Sequence, residues 1–187
     1  LEKLIEDPSS LTLGGDSKEL TIFFSDLAGF TTLSEALGSP QRLVSILNEY
    51  LTAMADIIMD YDGYVDKYEG DAIMAFWGAP VDDPNHAWKG CYAAIDNQIK
   101  LAELQERFVS MGLPGGLAVR IGLNTGVAVA GMMGSMKKLN YTIIGDPVNL
   151  ASRLEGANKQ YGTRIMVSDS TRMAAAERIV TRPLDLI

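Results

Sequence analysis

The spacing of apolar residues along the chain predicts alternating strands and helices. Residues 19–26 form a short run that is apolar on both faces and is followed by Gly29, which is typical of a central strand. From Pro40 onward the apolar positions recur every three or four residues, which predicts an amphipathic helix. The remaining runs predict strands at 64–68, 72–77, 117–124, 126–131, 139–144 and 164–168, and helices from after Pro84 to about Met111, at 148–158 and after the last strand.

The order of the predicted elements, β-α-β-β-α-β with additions, indicates an α+β fold in which helices are layered on a ferredoxin-like sheet. Residues 1–18 are polar and mixed, so they are expected to be a linker or N-terminal extension. Residues 19–187 then form one domain, which is long enough to bury a full core. The two strands on either side of Asn124-Thr125-Gly126 are expected to meet at that point.

Composition and charge exclude several classes of protein. With 47% apolar and 21% charged residues, the chain is globular rather than disordered. A single cysteine, Cys91, excludes a disulfide framework and a cysteine-based zinc site, and is expected to be a core residue on a helix. The net charge of −8 argues against nucleic acid as the main partner, because phosphate backbones require a basic face. The longest apolar stretch, 117–134, is interrupted by Arg120 and glycines and falls short of a membrane-spanning helix.

Two aspartates stand where strands end or turn. Asp26 ends the first predicted strand just before a turn into a helix, and Asp71 lies in the Glu69-Gly70-Asp71 turn between two apolar strands. A carboxylate beside the free amides of a helix start can hold a divalent metal and a phosphate together. Two carboxylates on neighbouring strands are the minimum for a two-metal phosphoryl-transfer site. The residues alone leave open the alternative of an ordinary helix cap and an ordinary turn aspartate.

A second cluster lies in the segment 142–155. Asn149 and Arg153 are four residues apart, so they share one face of a predicted helix, where an amide and a guanidinium can clamp a ribose and a phosphate. The alternative is a solvated helix face on which Arg153 pairs with a nearby acid. Lys137 lies beside glycines and by itself fits a charged hairpin tip.

Four stretches, taken in order, resemble the successive motifs of class III nucleotide cyclase catalytic domains. They are FFSDLAGFTTLSE, DKYEGDAIMAFWGAP, IGLNTG and YTIIGDPVNLASRLE, and the resemblance extends over about residues 18–182. It implies that two catalytic domains pair head to tail, bind a nucleoside triphosphate at their interface, and convert it to the 3′,5′-cyclic monophosphate and pyrophosphate.

The resemblance also assigns roles to individual residues. It implies that Asp26 and Asp71 bind two divalent ions, Mg or Mn, with Ca as an alternative at one site. Lys67 matches the lysine that reads adenine, and Thr142 matches the second base-reading position. Threonine there marks a subgroup that is common in bacteria and shared with soluble, bicarbonate-stimulated animal adenylate cyclases.

The remaining matches concern the ribose and the phosphates. Asn149 and Arg153 match the pair that positions the ribose and stabilises the transition state, and Lys137 lies near the basic contact to the terminal phosphates. The backbone amides expected to assist at the phosphates belong to Leu27, Ala28, Gly29, Phe30 and Thr31. One departure is that residues 182–187 contain no counterpart of a further phosphate-binding lysine of the family.

These matches favour an adenylate cyclase that uses ATP, because guanylate cyclases typically carry a glutamate at the position of Lys67. The alternatives are a guanylate cyclase and a catalytically weak module that senses nucleotide or bicarbonate. A diguanylate cyclase would need a GG(D/E)EF hairpin where this chain reads YEGDA. We expect a homodimer with shared sites, in the cytoplasm where ATP is available, while attachment of the parent protein to the inner face of a membrane stays open. Because the sequence begins at Leu1, we also expect an upstream regulatory or sensor domain.

Overall fold

The computed structural model of the chain describes residues 14–113, 115–135 and 137–185, apart from the side chains of Thr31 and Ala36. Six strands form one sheet: β1 (Gly14–Leu27), β2 (Tyr64–Glu69), β3 (Ala72–Trp77), β4 (Val119–Ser135), β5 (Lys138–Ile144) and β6 (Ile165–Val167). The helices are α1 (Phe30–Leu37), α2 (Pro40–Asp60), α3 (His86–Glu103), α4 (Gln105–Ser110), α5 (Asp146–Tyr161) and α6 (Asp169–Ala175).

The sheet has the order β2-β3-β1-β4-β5, with antiparallel neighbours throughout, and β6 pairs in parallel with β4. The succession β1-α2-β2-β3-α3-β4 with this strand order confirms the predicted ferredoxin-like α+β fold. The additions are the strands β5 and β6 and the helices α1, α4, α5 and α6. No helix within the described residues is both long and apolar enough to cross a membrane.

Both faces of the sheet are buried, which explains the continuous apolar character of β1. On one face, Phe23 packs with buried residues of α2 and α3 in the larger core cluster. On the other face, Leu20 and Ile22 pack with Phe76 and with Ala151 of α5 in a second cluster. Alternate residues of β1 therefore point to opposite layers, as the period of a strand requires. Cys91 is buried on α3, as predicted.

The first strand begins earlier than the sequence suggests. Residues 14–18, expected to be linker, pair with the far half of β4 as part of β1. The two chains approach closely here because glycines face each other: a Cβ on Gly131 would lie 2.5 Å from the Cα of Gly15. The glycines that resemble a flexible linker in the sequence thus serve close pairing of two strands.

The expected meeting of two strands at Asn124-Thr125-Gly126 is wrong, because β4 runs through these residues without interruption. Their small and polar character has another cause. A Cβ on Gly126 would lie 3.0 Å from the ring of Pro147, at the start of α5. The side-chain amide of Asn124 donates a hydrogen bond to the carbonyl oxygen of Pro147 at 2.9 Å. Residues 124–126, which resemble a turn in the sequence, therefore form the part of the sheet on which the start of α5 packs.

The long β4–β5 hairpin curls over the second core face. As a result β5, which ends the strand order on one side, contacts β2, which ends it on the other. The rings of Tyr64 on β2 and Tyr141 on β5 lie 5.6 Å apart, and Phe76 of β3 lies 6.3 Å from Tyr141. This aromatic contact brings residues 66 and 142, which neighbour it in sequence, within hydrogen-bonding distance of one another.

Candidate active site

The two predicted metal-binding aspartates lie at one end of the central strands. Asp26 is the last residue but one of β1, and Asp71 lies in the turn between β2 and β3, next to β1. The backbone N–H of Leu27 donates a hydrogen bond to Asp71 Oδ2 at 3.1 Å, which fixes this carboxylate beside the end of β1. Burial, together with the charge and hydrogen bonding of Asp26, raises the pKa of Asp71 to about 6.

Two adjacent carboxylates fit a divalent cation, because hard oxygen ligands suit Mg²⁺ and Mn²⁺. The described part of the chain holds no group of three or more His, Cys, Asp or Glu residues that would enclose a metal by themselves. A pair of carboxylates is the arrangement expected where phosphate oxygens and water complete the coordination of Mg²⁺.

Arg120 is a further charged residue of this site that the sequence does not identify. It is opposite Asp26 in the register of β1 and β4, and its Nη2 donates to Asp26 Oδ2 at 2.9 Å. Its Nε donates to Glu155 Oε1 of α5, also at 2.9 Å. Burial raises the pKa of Glu155, and the charge of Arg120 opposes that rise. One guanidinium therefore holds a carboxylate of the sheet and a carboxylate of the helix above it.

The helix start after β1 offers fewer amides to phosphate than the sequence predicts. The N–H of Leu27 is bonded to Asp71, and the N–H of Ala28 donates to the carbonyl oxygen of Ala118 at 2.8 Å. These two amides are therefore occupied by the protein itself. Gly29 adopts a left-handed conformation with φ of 75° as the N-cap of α1. The backbone N–H groups that lie beyond it, from Phe30 and Thr31, begin the helix and have no intrahelical acceptor.

The two predicted base-reading residues meet at a third residue, Asp66. The hydroxyl of Thr142 donates a hydrogen bond to Asp66 Oδ2, and the Nζ of Lys67 lies 3.6 Å from the same oxygen. The Asp66 side chain is only 1% exposed, whereas that of Lys67 is 42% exposed. The carboxylate lies in a β-bulge of β2, where the register with β3 shifts between Val65 and Lys67.

Asn149 and Arg153 are both exposed on one face of α5, as their spacing predicts. They line a surface cleft of about 590 Å³ together with Asn124, Thr125, Asp146, Pro147, Leu150 and Ser170. Among the described residues, neither Asp26 nor Asp71 lines this cleft. Lys137 is exposed in the turn between β4 and β5. The structure therefore places the predicted site residues in three groups: the acidic pair Asp26 and Asp71, Lys67 with Thr142 around Asp66, and Asn149 with Arg153 in the cleft.

Comparisons with known proteins match most of this chain. A family model described as the adenylate and guanylate cyclase catalytic domain matches residues 15–182. Adenylate cyclase 1 of Rhizobium meliloti is 38% identical over 167 residues, which are 89% of this chain and 25% of that protein. An adenylate cyclase of Anabaena cylindrica is 40% identical over 157 residues, 82% of this chain and 30% of that protein. The chain thus spans less than a third of the length of these relatives.

Two solved structures are similar in both fold and sequence. The guanylyl cyclase Cya2 superimposes with a TM-score of 0.84 at 36% identity, over 91% of this chain and 85% of that one. The adenylyl cyclase CyaB from P. aeruginosa superimposes with a TM-score of 0.80, also at 36% identity, over 87% of this chain and 82% of that one. The fold is therefore shared by an enzyme named a guanylyl cyclase and by one named an adenylyl cyclase.

Proposed function

Because the chain belongs to the adenylate and guanylate cyclase catalytic domain family, we propose that it is an adenylate cyclase, converting ATP to 3′,5′-cyclic AMP and pyrophosphate. The observation that carries the proposal is the placement of Lys67 beside Thr142, joined through Asp66. A lysine ammonium is a donor only. It matches N1 of adenine, which accepts a hydrogen bond, and does not match N1 of guanine, which carries a hydrogen. The relatives named adenylate cyclase support the same choice.

Asp26 and Asp71 are proposed to hold two divalent ions, Mg or Mn. When bound, such ions lower the pKa of the ribose 3′-hydroxyl and neutralise charge on the triphosphate. The protein keeps the two carboxylates in place by separate contacts: the Leu27 amide holds Asp71, and the Arg120 guanidinium holds Asp26. Because each carboxylate is anchored before substrate arrives, little reorganisation is needed at the moment of reaction.

The residues of α5 are proposed to act on the ribose and on the reacting phosphate. Asn149 orients the ribose through its side-chain amide, and Arg153 neutralises negative charge that develops around the α-phosphoryl group. A preorganised donor of this kind contributes about 3 kcal/mol to the transition state, so its loss costs about a hundredfold in rate. The amides of Gly29, Phe30 and Thr31 and the ammonium of Lys137 are proposed to hold the terminal phosphates.

We further propose that two copies of the chain share each active site. The cleft lined by Asn149 and Arg153 does not include the acidic pair among its described lining residues, which supports completion of the site by a second copy. A twofold dimer then carries two equivalent sites, each with the acidic pair of one copy and the remaining groups of the other. Because the curated relatives are longer than this chain, we also propose that a regulatory domain outside these residues acts on the pairing, and that the catalytic part works in the cytoplasm, where ATP is available.

The proposal is tested by incubating the purified chain with ATP or GTP and Mn²⁺ or Mg²⁺, and quantifying both cyclic nucleotides by mass spectrometry. The expected result is cyclic AMP formation, with a higher kcat/KM for ATP than for GTP. Two matched variants of one hairpin serve as controls: Asp71→Asn should be inactive, and Glu69→Gln, which changes an exposed carboxylate, should be active. Preferential formation of cyclic GMP, or no cyclic nucleotide from the folded protein, would contradict the proposal.

A further inference from the structure

Asp66 is a buried carboxylate that belongs to neither the proposed metal site nor the proposed phosphate site. It is the extra residue of the bulge in β2. Val65 pairs with Ala75 and Lys67 pairs with Met74, so no residue of β3 pairs with Asp66. The bulge directs its carboxylate to β5, where it accepts the hydroxyl hydrogen of Thr142. A carboxylate that is 1% exposed is costly unless it is paired, so these contacts explain how it is tolerated.

The hydrogen bond decides which hydrogen-bonding role Thr142 can offer to a base. A hydroxyl has one hydrogen to donate and two lone pairs that accept. Once the hydrogen of Thr142 is directed to Asp66, its oxygen can only accept a hydrogen bond from a ligand. An ionised carboxylate only accepts, so Thr142 cannot reverse this arrangement while Asp66 is charged. The Lys67 ammonium at 3.6 Å and the Thr142 hydrogen bond both favour the charged form of Asp66, although burial raises its pKa.

The resulting pattern matches one purine and opposes the other. Adenine presents a hydrogen-bond acceptor at N1 and a donor at its 6-amino group. Guanine presents a donor at N1 and an acceptor at O6. Lys67, a donor, and Thr142, here an acceptor, complement adenine at both positions and guanine at neither. Without the carboxylate, Thr142 could rotate its hydroxyl and donate to O6 of guanine.

We propose that Asp66 is a positioning residue that sets the base specificity of the site, by fixing Thr142 as a hydrogen-bond acceptor and holding Lys67 beside it. Its place at the contact between the two outer strands makes the arrangement rigid. Tyr64, two residues before it, packs on Tyr141, the neighbour of Thr142. The packing of these two rings thereby sets the distance between the side chains of Asp66 and Thr142. This inference rests on the proposed adenylate cyclase activity and deepens it.

The test compares three substrates in the wild type and in Asp66→Asn: ATP, GTP and purine riboside triphosphate. The last of these keeps N1 but lacks the 6-amino group, so it cannot donate to Thr142. An asparagine at position 66 can itself donate to the threonine oxygen, which frees the hydroxyl hydrogen. The loss of kcat/KM is expected to be about tenfold larger for ATP than for purine riboside triphosphate, and the ATP-to-GTP ratio of kcat/KM should fall about tenfold, since a hydrogen bond of this kind is worth about 1.4 kcal/mol.

Three further variants separate base reading from a general effect on the fold. Glu69→Gln removes the same charge from the same hairpin at an exposed position, and should leave both ratios unchanged. Thr142→Val should lose the advantage of ATP over purine riboside triphosphate. Thr142→Ser, which keeps the hydroxyl, should retain it. In the Thr142→Val background, Asp66→Asn should change the ATP-to-purine riboside triphosphate ratio no further.

The outcomes that overturn the inference are distinct from failure of the proposed function. If the wild type does not turn over ATP, the proposed function is wrong. If the wild type is active but Asp66→Asn keeps both wild-type ratios, or slows all three substrates equally, Asp66 does not set base specificity. If thermal melting shows that Asp66→Asn is not folded, the threonine variants test the inference instead. Equal behaviour of Thr142→Ser and Thr142→Val would then refute the role of a fixed hydroxyl.

Discussion

Replacing Gly122 by alanine should displace α5 from the sheet and so impair both stability and catalysis. Gly122 lies on β4 directly below the helix. A Cβ at this position would lie 2.9 Å from the Cα of Glu155, and closer still to the amide nitrogen of Glu155 and the carbonyl oxygen of Ala151. These are backbone atoms of the helix, which cannot rotate away as the end of a side chain can. The added methyl group therefore requires the whole helix to shift.

The magnitude follows from overpacking of a tightly packed contact. Such substitutions cost about 1–3 kcal/mol, and contact with helix backbone argues for about 3 kcal/mol. For a chain of this size, a loss of 3 kcal/mol lowers Tm by roughly 6–12 °C. Asn149 and Arg153 move with the helix, and a displacement of about 1 Å at a reacting centre can cost about a hundredfold in rate. We therefore expect both a lower Tm and a large loss of kcat.

The matched control is Gly156→Ala on the outer face of the same helix, where a Cβ would meet no atom within 4 Å. Alanine is the better helix former, so this variant should be stabilised by up to about 1 kcal/mol and remain active. Thermal melting followed by circular dichroism, together with steady-state kinetics, distinguishes the two variants. At roughly 2–4 °C per kcal/mol, the expected loss of stability lowers Tm by clearly more than about 2 °C. A Gly122→Ala protein that melts within about 1–2 °C of the wild type would therefore refute close packing at this contact.

Two further predictions concern the acidic pair. Because the pKa of Asp71 is raised to about 6, protons compete with metal below that pH, and Mn²⁺ should bind roughly fourfold more weakly at pH 5.5 than at pH 7.5. The rise in Tm on titration with Mn²⁺ measures this, and equal affinity at both pH values would contradict it. Arg120→Gln leaves Asp26 and Glu155 without their shared cation, which should lower the unfolding free energy by about 1–2 kcal/mol in chemical denaturation at pH 7.5. An unchanged denaturation midpoint would show that the guanidinium contributes nothing to stability.

Much of the fold could be predicted from the sequence because the apolar periodicities are strong. The helix beginning at Pro40 and the hairpin around Asp71 lie close to where their patterns place them. Two of the errors involve glycines. Gly15 and Gly126 resemble a linker and a turn, but each lies within a strand at a point of close contact. A sequence shows that a glycine is present and does not show whether a turn or a tight contact requires it.

The residues of the site likewise divide into those that the sequence identifies and those that it does not. The spacing of Asn149 and Arg153 suffices to place them on one face of a helix, and the structure puts them in one cleft. Arg120 and Asp66 could not be found in this way. Arg120 acquires its partner through the register of two strands that are distant in sequence. Asp66 contacts Thr142 only because β2 has a bulge and the β4–β5 hairpin curls across the sheet. Both features are properties of the assembled sheet.

The central claim is that two copies of this chain together form each adenylate cyclase site, and mixing two inactive variants tests it most directly. Asp26→Ala and Arg153→Ala should each be nearly inactive alone, since every site of either homodimer lacks one required group. After subunit exchange, each mixed dimer has one site with both lesions and one with neither. Random pairing makes half of the dimers mixed, so cyclic AMP formation should recover to about a quarter of the wild-type rate. No recovery, after exchange is verified with differently tagged subunits, would contradict a site shared between copies.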